Sequence, residues 1–253
     1  MRRRIGSGFR TCLRDIVFGN APRRPVVTPH WRGLFFWKWG AMTELRVIVF
    51  IDYQNTYHAT RACFHNPAGD PSWCGQIKPL AVGQAIVSQF AEPATLTQVR
   101  VYRGLASQKN DPKAYSAARR QNAQWERDSR VKVVSRPLRY PREWPGKAPQ
   151  EKGVDVSLAV DFVTYAVMGA YDVGVLMSLD TDLFPALESV HNFGSARHGF
   201  PRPEVAAWKV AGHDLRRLNP PGLKIPCRWL TEQDYPAIED SASYTGPLPS
   251  SRF

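Results

Sequence analysis

The stretch YDVGVLMSLDTDLFPALESV, residues 171–190, decides the fold of this chain. Its residues 173–178 form an apolar run with the length and composition of a buried strand. The run is followed closely by Asp180 and Asp182, and then by a helical pattern. A buried strand that ends in acids places them at its carboxyl edge, where open α/β sheets bind ligands. The alternative is that these acids only cap the helix, so the chemical interpretation depends on other acids reaching the same edge.

A second strand of the same kind comes earlier in the chain. Residues 46–51, RVIVFI, are mostly β-branched and apolar, and they end at Asp52. Further strands are predicted at residues 96–103, 131–134, 205–210 and 223–230. Because helical patterns alternate with these strands, we expect a three-layer α/β fold with a mainly parallel sheet and helices on both faces. The acids at the strand ends are then expected on one edge of the sheet.

A fourth acid belongs to the helix predicted over residues 151–171. Apolar residues from Val154 to Phe162 recur at helical spacing and form its core-facing row. Asp155 lies in the first turn, so the helix can present it at the same edge, although an acid there also complements the helix dipole. Asp161 lies about 120° further around the helix and is excluded from the cluster.

Carboxylates that meet in one cleft repel each other by several kcal/mol unless a counter-charge is present. The four acids that this topology gathers are Asp52, Asp155, Asp180 and Asp182. A hard divalent cation, Mg²⁺ or Mn²⁺, bound by some of these carboxylates together with waters and substrate phosphate, is the simplest counter-charge. Such an ion can activate a water and stabilise the departing oxygen of a phosphodiester.

Basic side chains near this edge are candidates for substrate contacts. They are Lys152, Arg103 at the end of a predicted strand, and Arg120 on the helix predicted over residues 113–130. For most arginines of that helix, a solvated face is the alternative. The segment 135–150, SRPLRYPREWPGKAPQ, interleaves basic residues with aromatic rings and can follow a phosphate backbone. A stiff, proline-rich connector is the alternative for this segment.

Charge is unevenly distributed along the 253 residues. Residues 1–41 carry nine basic residues and one acidic residue, whereas residues 42–253 carry a net charge of only +4. The first segment lacks helical and strand periodicity, so we expect it to be a disordered basic extension. This extension either results from a mis-assigned start of the sequence or is an arm that holds nucleic acid. The folded domain is expected over residues 42–235, and a disordered tail over residues 236–253.

Composition limits the remaining classes of function. No run of 18 apolar residues is present, so no membrane span is expected. The four cysteines lack C-x-x-C spacing, which is typical of a reducing compartment and favours the cytoplasm. Zinc binding is not expected, because the irregular spacing of its candidate ligands does not match the usual patterns; these ligands are His58, Cys63, His65 and Cys74.

Three ordered blocks of the chain resemble NYN domains, the PIN-like metal-dependent ribonucleases. The blocks are FIDYQN at 50–55, EKGVDVSLAVDF at 151–162 and SLDTDLFPAL at 178–187. Residues 111–128 and 136–145 are also similar to bacterial members. The resemblance implies a PIN-like, Rossmannoid fold and cleavage of RNA with Mg²⁺ or Mn²⁺. It assigns metal binding and catalysis to Asp52, Asp155, Asp180 and Asp182, with Asn55 and Ser178 shaping the site.

Three functions are compatible with these residues. The first is a metal-dependent endoribonuclease, and the second is a non-catalytic RNA-binding or regulatory module on the same fold. The third is a phosphatase with its nucleophile in the pair Asp180–Asp182, although no later acidic pair follows at a comparable strand end. The residues leave open which RNA is bound, and whether the protein is a monomer or a homodimer.

Overall fold

Six parallel strands form the sheet in the computed structural model, which describes residues 44–214 and 216–245. Their bounds are β1 Leu45–Asp52, β2 Ala94–Leu105, β3 Val131–Pro137, β4 Val173–Met177, β5 Arg202–Lys209 and β6 Cys227–Thr231. The strand order is β3-β2-β1-β4-β5-β6, and every neighbouring pair is parallel. The prediction of a mainly parallel α/β sheet is therefore confirmed. The predicted extension over residues 1–41 lies outside the described residues.

Helices cover both faces of this sheet. They are α1 Tyr53–Phe64, α2 Pro79–Val87, α3 Pro112–Trp125, α4 Val154–Val167, α5 Phe184–Ser195 and α6 Tyr235–Ile238. Side chains of a strand alternate between the faces, so Val49 and Ile51 pack with α1, α2, α3 and α6, whereas Phe50 packs with α4 and α5. Among the described residues, none of the helices has the length and apolar character needed to cross a bilayer.

The order of the strands fixes where a ligand can bind. From β1 the chain moves outward to β2 and β3, and then crosses back to place β4 on the other side of β1. The crevice between the carboxyl ends of β1 and β4 is a topological switch point, the usual ligand site of such sheets. The sequence stretches that end in acids form these two central strands.

Two helices are shorter than predicted, for local reasons. The fourth helix starts at Val154 instead of residue 151 because Gly153 has a left-handed backbone with φ 72°, which a helix cannot include. The third helix ends at Trp125 instead of residue 130, because Asp128 forms a local turn in which its Oδ1 accepts a hydrogen bond from the backbone N of Arg130.

The C-terminal segment also differs from the prediction. Disorder was expected from residue 236, but residues 236–245 pack against the domain. Ile238 is fully buried, and Trp125 Nε1 donates a hydrogen bond of 3.1 Å to Asp240 Oδ2. These partners come from distant parts of the chain, so local composition does not reveal them. Residues 246–253 lie outside the described part.

Candidate active site

The carboxylate of Asp52 stands at the end of β1 and caps α1. Its Oδ1 accepts a hydrogen bond of 3.3 Å from the backbone N of Asn55, as a helix cap does. Its Oδ2 accepts a second bond, of 2.9 Å, from Ser178 Oγ at the end of β4. Only 8% of Asp52 is exposed. Capping thus accounts for one oxygen of this carboxylate, while the other joins the two central strands.

The chain after β4 is fixed by the same group of side chains. Ser178 Oγ accepts a hydrogen bond of 3.1 Å from the backbone N of Asp180, and Asn55 Oδ1 accepts one of 2.8 Å from the backbone N of Leu179. Asp180 caps a single 3₁₀ turn, in which its Oδ1 accepts a bond of 3.0 Å from the backbone N of Asp182. The hydroxyl of Ser178 therefore connects the Asp52 carboxylate to the turn that carries Asp180.

Negative charge accumulates around Asp52. The pKa of Asp52 is raised to about 6, mainly by burial and with smaller contributions from the charges of Glu151 and Asp180, while the hydrogen bonds from Ser178 and Asn55 lower it. None of the main contributions to this shift comes from a basic side chain. A cation bound at this edge would therefore stabilise the ionised carboxylate of Asp52.

Glu151 was missed by the sequence-based prediction of the site. Its Oε1 accepts a hydrogen bond of 2.6 Å from the backbone N of Gly104, at the end of β2. A Cβ at Gly104 would meet Leu138 Cδ2 and lie 2.7 Å from Glu151 Oε1, so a larger residue there would displace the ends of both side chains. The sequence offered one indication of this role: Glu151 directly precedes Lys152 and Gly153, in the connection that leads from β3 to the start of α4.

The other predicted acids lie near this group without hydrogen bonds to it from their side chains. Asp182 is exposed in the 3₁₀ turn, and Asp155 is half-buried in the first turn of α4, which packs against that turn. Lys152 is exposed beside Glu151. Within the described part of the chain, no three His, Cys, Asp or Glu side chains are grouped closely enough to form a metal site by themselves. Metal binding by all four aspartates stays a prediction.

Two arginines predicted to contact substrate have protein partners in the structure. The guanidinium of Arg103 lies 4.6 Å from the ring centre of Tyr53 and donates a hydrogen bond of 2.6 Å to Gln121 Oε1. Burial lowers the pKa of Arg103. Arg120 donates from Nη2 to the backbone O of Tyr244 at 2.5 Å. Both residues therefore stabilise the packing around α3, and their contact with substrate stays a prediction.

The residues at this edge fit a hard divalent cation. Magnesium is usually bound by one or two carboxylates, with waters and substrate phosphate completing its octahedral shell. Asp52 and Asp180 supply carboxylates on both sides of the switch point, and Glu151 adds charge next to them. An all-protein cage of three or more ligands is not required for such an ion.

A buried carboxylate with a raised pKa destabilises the folded state at neutral pH. Between the ordinary pKa of 3.8 and about 6, folded Asp52 keeps a proton that the unfolded chain releases, so stability falls as the pH rises through this range. We therefore expect Asp52→Asn to raise the free energy of unfolding by about 1–3 kcal/mol at about pH 7.5 without divalent cations. The gain should be much smaller at about pH 4.

Urea unfolding of both proteins at the two pH values, in the presence of EDTA, measures this difference. Asparagine keeps an oxygen that can accept from Ser178 or Asn55, so most of the local geometry should survive. A loss of stability at neutral pH, or the same gain at both pH values, would contradict the account of a costly buried charge.

The fold and this edge define an α/β protein with an acidic ligand site at its topological switch point. The NYN domain family matches residues 46–208, which is more than half of the chain. The chain belongs to the NYN domain family, and the resemblance seen in the three sequence blocks is confirmed. The family is PIN-like, and its members are generally nucleases that depend on divalent metals.

No curated protein matches the chain. A solved structure of a Vibrio parahaemolyticus protein of unknown function is similar with 19% identity and a TM-score of 0.39, over 66% of this chain and 82% of that chain.

Proposed function

We propose that this protein is a metal-dependent endoribonuclease that hydrolyses RNA phosphodiester bonds at the carboxyl ends of β1 and β4. The observation that carries this proposal is the buried carboxylate of Asp52, which Ser178 connects to the turn of Asp180. Around it the charges of Glu151 and Asp180 raise its pKa, and no basic residue is among the main contributors. A divalent cation provides the missing counter-charge.

The residues divide into ligands and positioning groups. Asp52 and Asp180 would hold Mg²⁺ or Mn²⁺, and Glu151, Asp155 and Asp182 would add negative charge around it. When bound, the ion supplies an activated water and offsets charge on the departing oxygen. Asn55 and Ser178, in contrast, act on the protein: they fix the strand ends and the 3₁₀ turn, so that the carboxylates need not reorganise.

A basic loop beside the site supports a polyanionic substrate. It connects β3 to α4, and the backbones of Arg139 and Gln150 close its base with two hydrogen bonds of 2.8 and 3.0 Å. Tyr140 and Trp144 pack edge to face at 5.0 Å within it. Exposed basic residues line the loop and its flanks, namely Arg136, Arg139, Arg142, Lys147 and Lys152. Positive charge beside aromatic rings is typical of surfaces that bind single-stranded RNA.

A non-catalytic RNA-binding module is the second candidate. It is favoured by the spread of the acids, since no three metal-ligating side chains are grouped in residues 44–214 and 216–245. The two candidates differ in turnover and share the basic loop.

A circular single-stranded RNA distinguishes them. An endonuclease linearises the circle in Mg²⁺ or Mn²⁺ and leaves it intact in EDTA, whereas an exonuclease cannot attack a molecule without ends. A circular single-stranded DNA of the same sequence tests whether the protein cleaves RNA in preference to DNA. Binding of the circle without linearisation in either metal would overturn the proposal in favour of the second candidate.

A further inference from the structure

A cavity of about 540 Å³ opens beside the acidic edge. One wall is α1, which contributes small side chains at Ala59, Ala62 and Cys63 and polar ones nearer its start, including His58. The ends of β4 and β5 form the floor, with Met177 and Trp208 among its residues. A cavity of this size is within the range that holds small organic ligands in proteins.

The floor of the cavity is apolar and fixed. Trp208 is almost fully buried, and its Nε1 donates a hydrogen bond of 2.9 Å to Thr60 Oγ1 inside the domain. Phe64 packs edge to face on the same indole at 5.0 Å. Ala206 and Ala207 add little bulk beside it. The floor therefore accepts a flat, uncharged group and needs no rearrangement to do so.

The rim of the cavity is polar. Four exposed polar residues line the cavity, namely His58, His213, Asp214 and Arg216. His213 follows β5 in the chain, and it reaches the cavity opposite α1 because β5 lies next to β4 in the sheet. This combination of an apolar floor and a polar rim fits a nucleoside, with its base inside and its ribose at the opening.

The cavity and the acidic edge share residues. Asn55 and Ser178 line the cavity, and the same two side chains hold Leu179 and Asp52 in place. A group in the cavity is thus next to a phosphate held at the carboxylates. We propose that the cavity takes the nucleoside attached to the scissile phosphate, an inference that rests on the proposed nuclease function. Cleavage then requires a base at one fixed position relative to the cut bond.

A series of short RNAs, each with a single abasic position, tests this with the unmodified protein. We expect kcat/KM to fall about tenfold when the abasic position is next to the cut bond, and to change little when it is elsewhere. Equal cleavage across the series would overturn the inference while leaving the nuclease proposal intact.

Ala62→Phe tests the cavity itself. Ala62 is exposed at the cavity wall, so phenylalanine there fills space without disturbing the core. We expect this variant to cleave intact RNA about tenfold more slowly and to lose its sensitivity to the abasic position. Ala123→Phe is the matched control, since Ala123 is an exposed alanine of α3 that does not line the cavity. Its kinetics should equal those of the unmodified protein.

Calorimetry with AMP and UMP, in EDTA, separates the failure of this inference from that of the proposed function. Nucleotide binding that Ala62→Phe abolishes and Ala123→Phe preserves supports a nucleotide site in the cavity. If no RNA is cleaved, the nuclease proposal fails, and with it the assignment of this site to a scissile bond. Nucleotide binding at the cavity combined with equal cleavage of every abasic RNA would instead identify a site for a free nucleotide, and the inference would be wrong.

Discussion

Asp180→Asn is expected to lower the rate of RNA cleavage by about 10³-fold or more and to leave the fold intact, because a metal-based site depends on several kcal/mol of charge stabilisation. In the unmodified protein, Asp180 Oδ1 accepts a hydrogen bond of 3.0 Å from the backbone N of Asp182. The side-chain oxygen of asparagine can accept the same bond, so the 3₁₀ turn stays capped. The substitution removes only the negative charge at the switch point. Single-turnover cleavage of a labelled RNA with saturating Mn²⁺ measures the chemical step.

Asp128→Asn is the matched control. Asp128 lies just before β3, at the opposite edge of the sheet, and its carboxylate pairs with Arg130 at 2.8 Å on the surface. Removing this charge should not change the cleavage rate. If Asp180→Asn cleaved as fast as the Asp128→Asn control, the acidic edge between β1 and β4 could not be the catalytic centre.

Arg61→Met is expected to lower the free energy of unfolding by about 3 kcal/mol or more. Arg61 is a buried residue of α1, and its guanidinium donates hydrogen bonds of 2.5–3.1 Å to four backbone carbonyls of the following loop. These carbonyls belong to Pro67, Asp70, Pro71 and Cys74. Methionine fills similar space but donates nothing, so the loop loses its shared donor.

Urea unfolding of Arg61→Met and Arg61→Lys measures this effect. Lysine keeps the charge and can reach some of the carbonyls, but its ammonium lacks the planar fork that spans four acceptors. We therefore expect an intermediate loss of stability for lysine. A change below about 1 kcal/mol for methionine would show that the loop is held by other contacts.

Strand patterning explains why the sequence put Asp52 and Asp180 on one edge of the sheet. Apolar runs that end just before these two residues predicted two strands, and the carboxyl ends of parallel strands lie on one edge; that the two strands are central neighbours was not predicted. The hydrogen bonds of Ser178 and Asn55 then connect these two ends. These side chains can be placed from the sequence because each stands at the end of a recognisable strand, and because the carboxyl ends of parallel strands lie on the same edge of a sheet.

What the sequence did not reveal depends on long-range contacts. Glu151 reaches the site because its carboxylate accepts from Gly104, 47 residues earlier in the chain. The contact of Arg103 with the ring of Tyr53, on the face of the sheet that α1 and α3 cover, also joins distant parts of the chain. His213 meets α1 only after β5 has taken its place in the sheet. Contacts between residues so far apart in the chain leave no periodic pattern in the local sequence.

Calorimetric titration with Mn²⁺ tests the central claim most directly, because it asks whether the acidic edge holds a cation without requiring a substrate. The unmodified protein and the Asp128→Asn control are predicted to bind Mn²⁺ alike, while Asp52→Asn and Asp180→Asn bind it much more weakly. If the unmodified protein bound no Mn²⁺, or if all four proteins bound it equally, the proposed metal site at the ends of β1 and β4 would be contradicted.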